Sequence, residues 1–294
     1  MSNVPRQRRI AARGLAFRAL EWPGGAPPVL LLHATSFCAD VWGPVWEAAR
    51  SASPRALGAV AVDQRGHGGS DAPADAAAYA WTELAADAVA IAEGLAGERG
   101  TPVVGVGHSS GATALLAAAG TRPALFAAVV AIEPVLFEGS PDAAADSFPG
   151  SRALAAAARR RRGRFASRDE ARERLRARFP YSGFDPAALE ACLDGTLAPV
   201  AGAVALRCPG AREAWCYEGA AALDPWPLAE RIGAPLRLVL GQHGAVSSRL
   251  RDRLLAAQPA ARAEAIAGAT HFAALERPSE VGRAIGGFLA ELLR

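Results

Sequence analysis

Long apolar runs are missing from this 294-residue sequence, and none approaches the roughly 20 residues that a membrane-spanning helix needs. The first ten residues are polar and rich in arginine, and no apolar core of a secretory signal follows them. We therefore expect a cytoplasmic protein without a membrane span. The net charge is only +3, which gives no reason to expect nucleic acid as a partner.

Cysteine is also scarce, with four residues at positions 38, 192, 208 and 216. No two of them form a Cys-x-x-Cys pair, and no His-x-x-x-His pair accompanies them. The cysteines therefore give no indication of a metal site, and reduced, mostly buried thiols are expected instead. No organic cofactor is implied either.

The residues that are present indicate an α/β fold. Hydrophobic residues make up 51% of the chain and charged residues 21%, which is typical of a globular protein. Short apolar runs alternate with longer Ala- and Leu-rich helical runs, which predicts a mostly parallel central sheet flanked by helices. The predicted strands are Gly14–Glu21, Pro28–His33, Leu57–Asp63, Val103–Val106, Ala127–Ile132, Leu236–Leu240 and Ala263–Ile266.

This alternation is interrupted between Phe137 and Pro235. The interruption contains two Arg-rich predicted helices, Ser151–Arg162 and Arg168–Arg178, and most of the cysteines. We expect residues 1–136 and 235–294 to form the core, and residues 137–234 to form a helical cap over the edge where the strands end. Aromatic residues of this segment suggest a partly apolar lid: Phe137, Phe179, Tyr181, Phe184, Trp215 and Tyr217.

The sequence Gly107-His108-Ser109-Ser110-Gly111 lies between a predicted strand and a predicted helix. A Gly-x-Ser-x-Gly motif in that context predicts a nucleophile elbow, in which a sharp turn projects the central serine above the sheet. Glycines two residues before and after the serine remove the Cβ atoms that would clash in such a turn. Ser109 is therefore the predicted nucleophile.

A serine nucleophile needs a base, and His271 follows the last predicted strand, far downstream of the elbow. We predict that His271 is this general base. An oxyanion needs backbone N–H donors, which we expect from Ser110 and from the His33–Phe37 loop. In that loop Thr35 is the first choice and Ala34 the second.

Four segments together resemble the α/β-hydrolase superfamily, in particular its capped esterase-like members. They are His33-Ala34-Thr35, Asp63 to Ser70, the elbow, and Gly268 to His271. The resemblance covers nearly the whole chain and implies an α/β-hydrolase fold with a helical cap insertion. The sequence departs from the family in one turn, where His33-Ala34 replaces the usual His-Gly.

Which residue supplies the acid of the expected catalytic triad is an open question. The family usually carries it after the strand that here is Leu236–Leu240, but this chain reads Gly241-Gln242-His243-Gly244, without a carboxylate. Some members carry the acid one strand earlier, where this chain has Glu133. We expect Glu133 to orient His271, the alternative being a Ser–His dyad in which Gln242 or His243 only steers the ring.

These residues predict hydrolysis of a small carboxylic ester through an acyl-enzyme on Ser109. Lactones, amides, carbon–carbon bonds and perhydrolysis use the same constellation and stay open. A non-catalytic ligand-binding protein is an alternative of another class. Four side chains near the expected site are predicted to contact the substrate: His33, Phe37, His108 and Phe137.

Overall fold

The computed structural model describes residues 4–53, 56–136 and 149–294. Its strands are β1 (Arg6–Ala12), β2 (Leu15–Trp22), β3 (Gly25–Leu32), β4 (Leu57–Val62), β5 (Val103–His108), β6 (Phe126–Ile132), β7 (Arg164–Phe165), β8 (Leu197–Val200), β9 (Ala203–Leu206), β10 (Leu236–His243) and β11 (Arg262–Thr270). Eight of them form the central sheet in the order β1-β2-β4-β3-β5-β6-β10-β11. From β4 to β11 neighbouring strands in this order are parallel, so their carboxyl ends meet at one edge.

Helices cover both faces of this sheet. They are α1 (Trp42–Ala52), α2 (Trp81–Arg99), α3 (Ser110–Thr121), α4 (Pro149–Arg160), α5 (Arg168–Arg176), α6 (Pro186–Thr196), α7 (Gly210–Glu218), α8 (Trp226–Ala229), α9 (Ser248–Ala257), α10 (Ala273–Glu276) and α11 (Pro278–Leu292). None of the helices in the described ranges is long and apolar enough to cross a membrane.

Strand β3 illustrates why the central strands read as continuous apolar runs. Val29 and Leu31 pack toward the layer that contains α1 and α11. Leu30 and Leu32, which point to the other side, pack toward α2 and α3. A strand buried on both faces has no polar alternation, since neither side meets water. These two layers agree with the α/β-hydrolase fold implied by the resemblance.

The β1–β2 hairpin was not part of the sequence prediction, which recognised only its second strand. The two strands pair antiparallel at the sheet edge, from Arg6 opposite Glu21 to Ala12 opposite Leu15. Exposed arginines dominate β1, so the strand lacks the apolar alternation by which strands are recognised. Arg8 instead forms an ion pair with Glu98 of α2 at 2.6 Å.

The segment between β6 and β10, here called the insertion, is not purely helical. Besides helices α4 to α7 it contains a three-stranded antiparallel sheet in the order β7-β9-β8. These strands have two to four residues, too few to give a periodic pattern. Trp226 of α8 already packs in the core layer of Leu115, ahead of residue 235 where the sequence suggested that the core resumes.

Candidate active site

The turn at Ser109 joins the carboxyl end of β5 to the first residue of α3. Ser109 has φ 54° and ψ −119°, a strained conformation for a residue with a side chain. A Cβ at Gly107 would approach the Ala112 nitrogen to 2.6 Å, and one at Gly111 would approach the His33 oxygen to 2.6 Å. Both positions therefore require glycine, as an elbow demands. The N–H of Ser109 donates to the Ile132 carbonyl at 2.9 Å and fixes the turn to β6.

Three side chains from three different loops meet above this turn. Ser109 Oγ lies 2.9 Å from Nε2 of His271, which follows β11. His271 Nδ1 lies 3.2 Å from Oε2 of Glu133, which follows β6. The serine, imidazole and carboxylate form one continuous hydrogen-bonded chain, the geometry in which a carboxylate orients a histidine and the histidine can take a proton from serine.

Glu133 is completely buried, and backbone groups hold its carboxylate in place. Oε1 accepts the N–H of Gly241 at 2.8 Å, and Oε2 accepts the N–H of Ala245 at 2.7 Å. Its backbone φ is 45°, a conformation that costs energy for a residue with a Cβ. Gly244, where the family usually has its acid, is so close that a Cβ there would overlap Glu133 Oε1. The carboxylate of Glu133 therefore occupies the space beside that position.

Two residues hold the loop that carries His271. His108 lies beneath it, and its Nε2–H donates to the His271 carbonyl at 2.8 Å. Glu276 of α10 accepts from both Thr270 N and Thr270 Oγ1 at 2.7 Å. Sequence reasoning missed Glu276, since a glutamate in a helix has no distinguishing signal until the fold places its carboxylate under Thr270.

The expected role of His108 in substrate contact needs correction. The ring is only 2% exposed, and its Nε2 is already bonded to the His271 loop. Burial, with a smaller contribution from the nearby His271, lowers the pKa of His108 to about 3. The neutral ring therefore positions the neighbouring loop and has little surface to offer a substrate.

His33 needs the same correction, because both of its ring nitrogens are bonded to main-chain groups. Nε2 accepts the N–H of Gln64 at 2.9 Å, and Nδ1–H donates to the Ala34 carbonyl at 2.8 Å. Burial, followed by the nearby His67, lowers the pKa of His33 well below its ordinary value. The residue is fully buried and organises the His33–Phe37 turn.

The expected oxyanion donors lie together at this turn, but one of them is occupied. Ser110 begins α3, where the helix dipole favours negative charge. The N–H of Thr35 donates to Ser110 Oγ at 2.9 Å, and Thr35 Oγ1 donates to the same oxygen at 3.1 Å. Thr35 is therefore at the expected place with its N–H directed at a side chain. Ala34 precedes it in the turn, and its carbonyl accepts from Phe37 N at 3.2 Å.

The next residue of the turn, Ser36, ties the core to the insertion. Its φ is 80°, and its N–H donates to Nε2 of His67 at 3.1 Å. Its hydroxyl donates to Glu213 of α7 at 2.6 Å, and Glu213 pairs with Arg161 at 2.8 Å. Glu213 is a second residue missed by sequence reasoning, because its partners are distant in the chain.

Aromatic rings cover the side of the site next to His271. Phe272 lies 5.3 Å from the His271 ring, measured between centroids, and Phe37 lies 6.2 Å from Phe272. Phe37 is only 3% exposed, so, like His108, it has little surface to offer a substrate, and its predicted contact needs the same correction. Phe137, the fourth predicted contact, falls outside the described residues.

No group of three or more His, Cys, Asp or Glu side chains within residues 4–53, 56–136 and 149–294 could hold a metal ion. The four cysteines are buried and unbonded to one another. Burial raises the pKa of each of these thiols. None of the four therefore has the character of a reactive thiolate.

Comparison with known proteins relates this chain to several hydrolases. An epoxide hydrolase from Caballeronia sordidicola is 36% identical over 120 residues, which span 41% of this chain and 34% of that protein. The match thus spans about a third of the length of that relative. The solved structure of E-2-(acetamidomethylene)succinate hydrolase superimposes with a TM-score of 0.81 at 25% identity, covering 97% of this chain and 99% of that one.

The peroxisomal α/β-hydrolase Lpx1 of Saccharomyces cerevisiae shares the fold, with a TM-score of 0.80 at 17% identity over 99% of this chain and 90% of that chain. A sequence model of the alpha/beta hydrolase family matches residues 29–284, which include the second half of β3, the elbow, Glu133 and His271. The chain belongs to the alpha/beta hydrolase family.

Proposed function

We propose that this protein hydrolyses small carboxylic esters, with Ser109 as nucleophile, His271 as general base and Glu133 as the triad acid. The observation that carries the proposal is the continuous relay from Ser109 Oγ through His271 to Glu133, with contacts of 2.9 and 3.2 Å. The Glu133 carboxylate also accepts two backbone N–H groups, but those contacts require neither the histidine nor the serine. The relay does match the requirement for activating a serine hydroxyl, whose own pKa makes it a weak nucleophile.

In the proposed cycle Ser109 Oγ attacks the ester carbonyl while its proton passes to His271 Nε2. The resulting imidazolium lies against the Glu133 carboxylate, which stabilises its positive charge. His271 then protonates the leaving alcohol, and the carbon–oxygen bond breaks to give an acyl-enzyme. Water, deprotonated by His271, attacks the acyl carbon and releases the acid, which restores Ser109.

The negative oxygen formed in each attack requires backbone donors. The Ser110 N–H, at the first turn of α3, is one. The second comes from the His33–Phe37 turn, with Thr35 as the preferred donor once the Ser110 side chain turns away from it, and Ala34 as the alternative. Residues 137–234 act in this proposal as a cap that covers the bound substrate.

Nucleophile chemistry favours acyl transfer over epoxide opening, despite the name of the Caballeronia relative. Attack of a serine on an epoxide leaves an ether, which has no carbonyl for water to attack, so the enzyme would not turn over. Attack on an ester leaves an acyl-enzyme, which hydrolyses. Lactones, amides, carbon–carbon bonds and perhydrolysis share this intermediate and are alternatives at the same site.

Labelling with a fluorophosphonate probe tests the proposal. The wild-type protein should react at Ser109 and hydrolyse p-nitrophenyl acetate and butyrate, whereas Ser109→Ala should do neither. Thr113→Ser, in helix α3 directly after the elbow, retains the hydroxyl that donates to the Ser109 carbonyl and serves as a control for general disturbance. A folded wild-type protein that neither labels nor turns over would instead indicate a ligand-binding protein on a hydrolase fold.

A further inference from the structure

Five aromatic side chains form a continuous surface beside His271, here called the aromatic wall: Phe37, Phe179, Tyr181, Phe184 and Phe272. Successive ring centroids are 5.2 to 6.3 Å apart, with tilted or edge-to-face geometry. These are the separations and orientations at which aromatic rings attract one another. Three of the rings belong to the insertion and two to the core.

Phe179 differs from the rest of the wall because it faces solvent. It is 72% exposed, whereas Phe37, Tyr181 and Phe184 are at most 8% exposed. Its ring stands edge-to-face against Phe272, at 5.6 Å and 80°. A single exposed phenylalanine is unremarkable on a protein surface. One that extends a buried aromatic surface outward from the candidate active site leaves a ring face open for an incoming group.

The order of the rings indicates which part of an ester would reach that face. Phe272 lies directly against His271, at 5.3 Å and 86°, and Phe179 lies beyond Phe272. His271 must stand within hydrogen-bonding reach of the leaving oxygen, because it protonates that oxygen as the ester bond breaks. The carbon attached to the leaving oxygen is then the part of the substrate nearest to Phe272 and Phe179.

Charge on the buried side of the wall is neutralised. Arg161 donates to the Tyr181 hydroxyl at 2.6 Å, but its other contact is the carboxylate of Glu213 at 2.8 Å. The guanidinium therefore already has a counter-ion, and the wall presents ring faces and edges rather than a free cation. A neutral aromatic group complements such a surface better than an anionic or a polar one.

We propose that Phe179 and Phe272 form a subsite for the leaving group, and that the substrates are esters of benzyl-type aromatic alcohols. The inference rests on the proposed function, because it assigns the leaving group by its distance from a catalytic His271. The subsite lies at the outer end of the wall, so the aromatic alcohol is the part released toward solvent, and the acyl group lies deeper, toward the Thr35 turn.

The test compares benzyl acetate with cyclohexylmethyl acetate, whose alcohols have similar size. Because benzyl alcohol is the stronger acid, the ratio in a ring-free variant is the reference. An aromatic pair contributes about 0.5–1.5 kcal/mol beyond burial, so kcat/KM should favour the benzyl ester by roughly two- to tenfold. Phe179→Leu keeps an apolar side chain without a ring, and should lower the ratio by roughly two- to tenfold, chiefly through slower hydrolysis of the benzyl ester. Leu154→Ala, which also removes exposed apolar surface from the insertion, should leave the ratio unchanged.

Moving the ring to the acyl side tests the orientation. Methyl phenylacetate and methyl cyclohexylacetate should be hydrolysed with a ratio near one, and this ratio should not respond to Phe179→Leu. A wild-type benzyl preference near one, a preference that persists undiminished in Phe179→Leu, or a preference seen only on the acyl side would overturn the subsite. Fluorophosphonate labelling separates these failures from failure of the function, since a labelled and active enzyme without benzyl preference refutes only the subsite. An unlabelled and inactive protein refutes both.

Discussion

Glu133 Oε2 and His271 Nδ1 lie 3.2 Å apart although the strands that carry them, β6 and β11, are separated in the sheet by β10. The carboxylate reaches across the end of β10, where it accepts the N–H of Gly241 within the strand and the N–H of Ala245 in the loop that follows. The loop that usually supplies the acid in this family thus supplies a backbone donor instead. In the proposed triad the acid therefore follows β6, one strand earlier than is usual in the family.

Glu133→Gln should abolish most of the activity without unfolding the protein. The amide retains the size of the side chain but removes the negative charge that stabilises the His271 imidazolium. By analogy with triads in which the acid is neutralised, we expect kcat to fall by about 10³- to 10⁴-fold. Steady-state kinetics on p-nitrophenyl butyrate measures this, with circular dichroism to verify the fold. Full turnover in a folded variant would leave the Ser–His dyad as the better description.

Returning the acid to the position usual in the family should require removal of Glu133. Gly244→Asp alone brings a Cβ against the Glu133 carboxylate and places a second acid beside it, so we expect loss of stability and of activity. Glu133→Gly with Gly244→Asp removes the collision and suits the positive φ at 133. This double variant should exceed Glu133→Gly in kcat by at least about tenfold, and equal rates would show that the loop after β10 cannot present an acid to His271.

Ser110→Ala should release the Thr35 N–H while leaving the Ser110 main chain in place. The variant removes the oxygen that now accepts from Thr35. If the freed N–H stabilises the oxyanion, one additional hydrogen bond is worth about 0.5–1.5 kcal/mol, and kcat should rise by roughly two- to tenfold. Pre-steady-state acylation measures this step. A fall of tenfold or more would mean that the Ser110 hydroxyl itself takes part in the reaction.

Glu276→Ala should misplace His271 without touching the reacting groups. It removes the acceptor of both Thr270 N and Thr270 Oγ1, so we expect a loss of about 1–3 kcal/mol in the free energy of unfolding. Labelling of Ser109 by a fluorophosphonate should slow in parallel. Glu280→Ala, an exposed glutamate on the next helix, is the matched control. Unchanged labelling in Glu276→Ala would show that the His271 loop is held by other contacts.

Stability should fall as the pH is lowered from about 6.5, because the buried histidines resist protonation in the folded state. The pKa of His108 is about 3 in the fold against an ordinary value of 6.5, so the unfolded chain binds this proton first. The stabilisation that depends on a neutral His108 is complete above pH 6.5. It is lost progressively toward pH 3, at up to about 1.4 kcal/mol per pH unit. Burial lowers the pKa values of His33 and His67 in the same direction.

Urea unfolding of His108→Gln between pH 4.5 and 7.5 tests this assignment. The variant lacks one of the titrating groups, so its free energy of unfolding should depend less steeply on pH. The difference in slope corresponds to at most one proton bound on unfolding. The slope is the relevant readout, since the loss of the bond to the His271 carbonyl lowers stability at every pH. Identical slopes in the two proteins would show that His108 is protonated equally easily in the folded and unfolded states.

The parts of this structure that the sequence predicts are those encoded locally. The elbow requires glycine at 107 because of its own main chain, and apolar runs such as β3 follow from burial on both faces. Glycine at 111 is required by the main chain of Leu32 and His33, but the Gly-x-Ser-x-Gly spacing still reveals it in the sequence. The direction in which a side chain points is not encoded locally. Ser110 Oγ accepts the Thr35 N–H, and both ring nitrogens of His33 bind main-chain groups. These contacts join segments that only the folded chain brings together, so the sequence does not predict them.

The pairing of Arg161 with Glu213 has a consequence for any movement of the insertion. Both residues belong to the insertion, and the contact from Glu213 to the core is the hydroxyl of Ser36. Lifting α7 from the core would break the hydrogen bonds of the Ser36 hydroxyl with Glu213 and Tyr217, and the bond from Trp81 Nε1 to the Cys216 carbonyl. The Arg161–Glu213 ion pair would stay intact. Separating opposite charges in a low-dielectric interior is costly. The Arg161–Glu213 pair is therefore neutralised within the insertion and needs no counter-ion from the core side of the site.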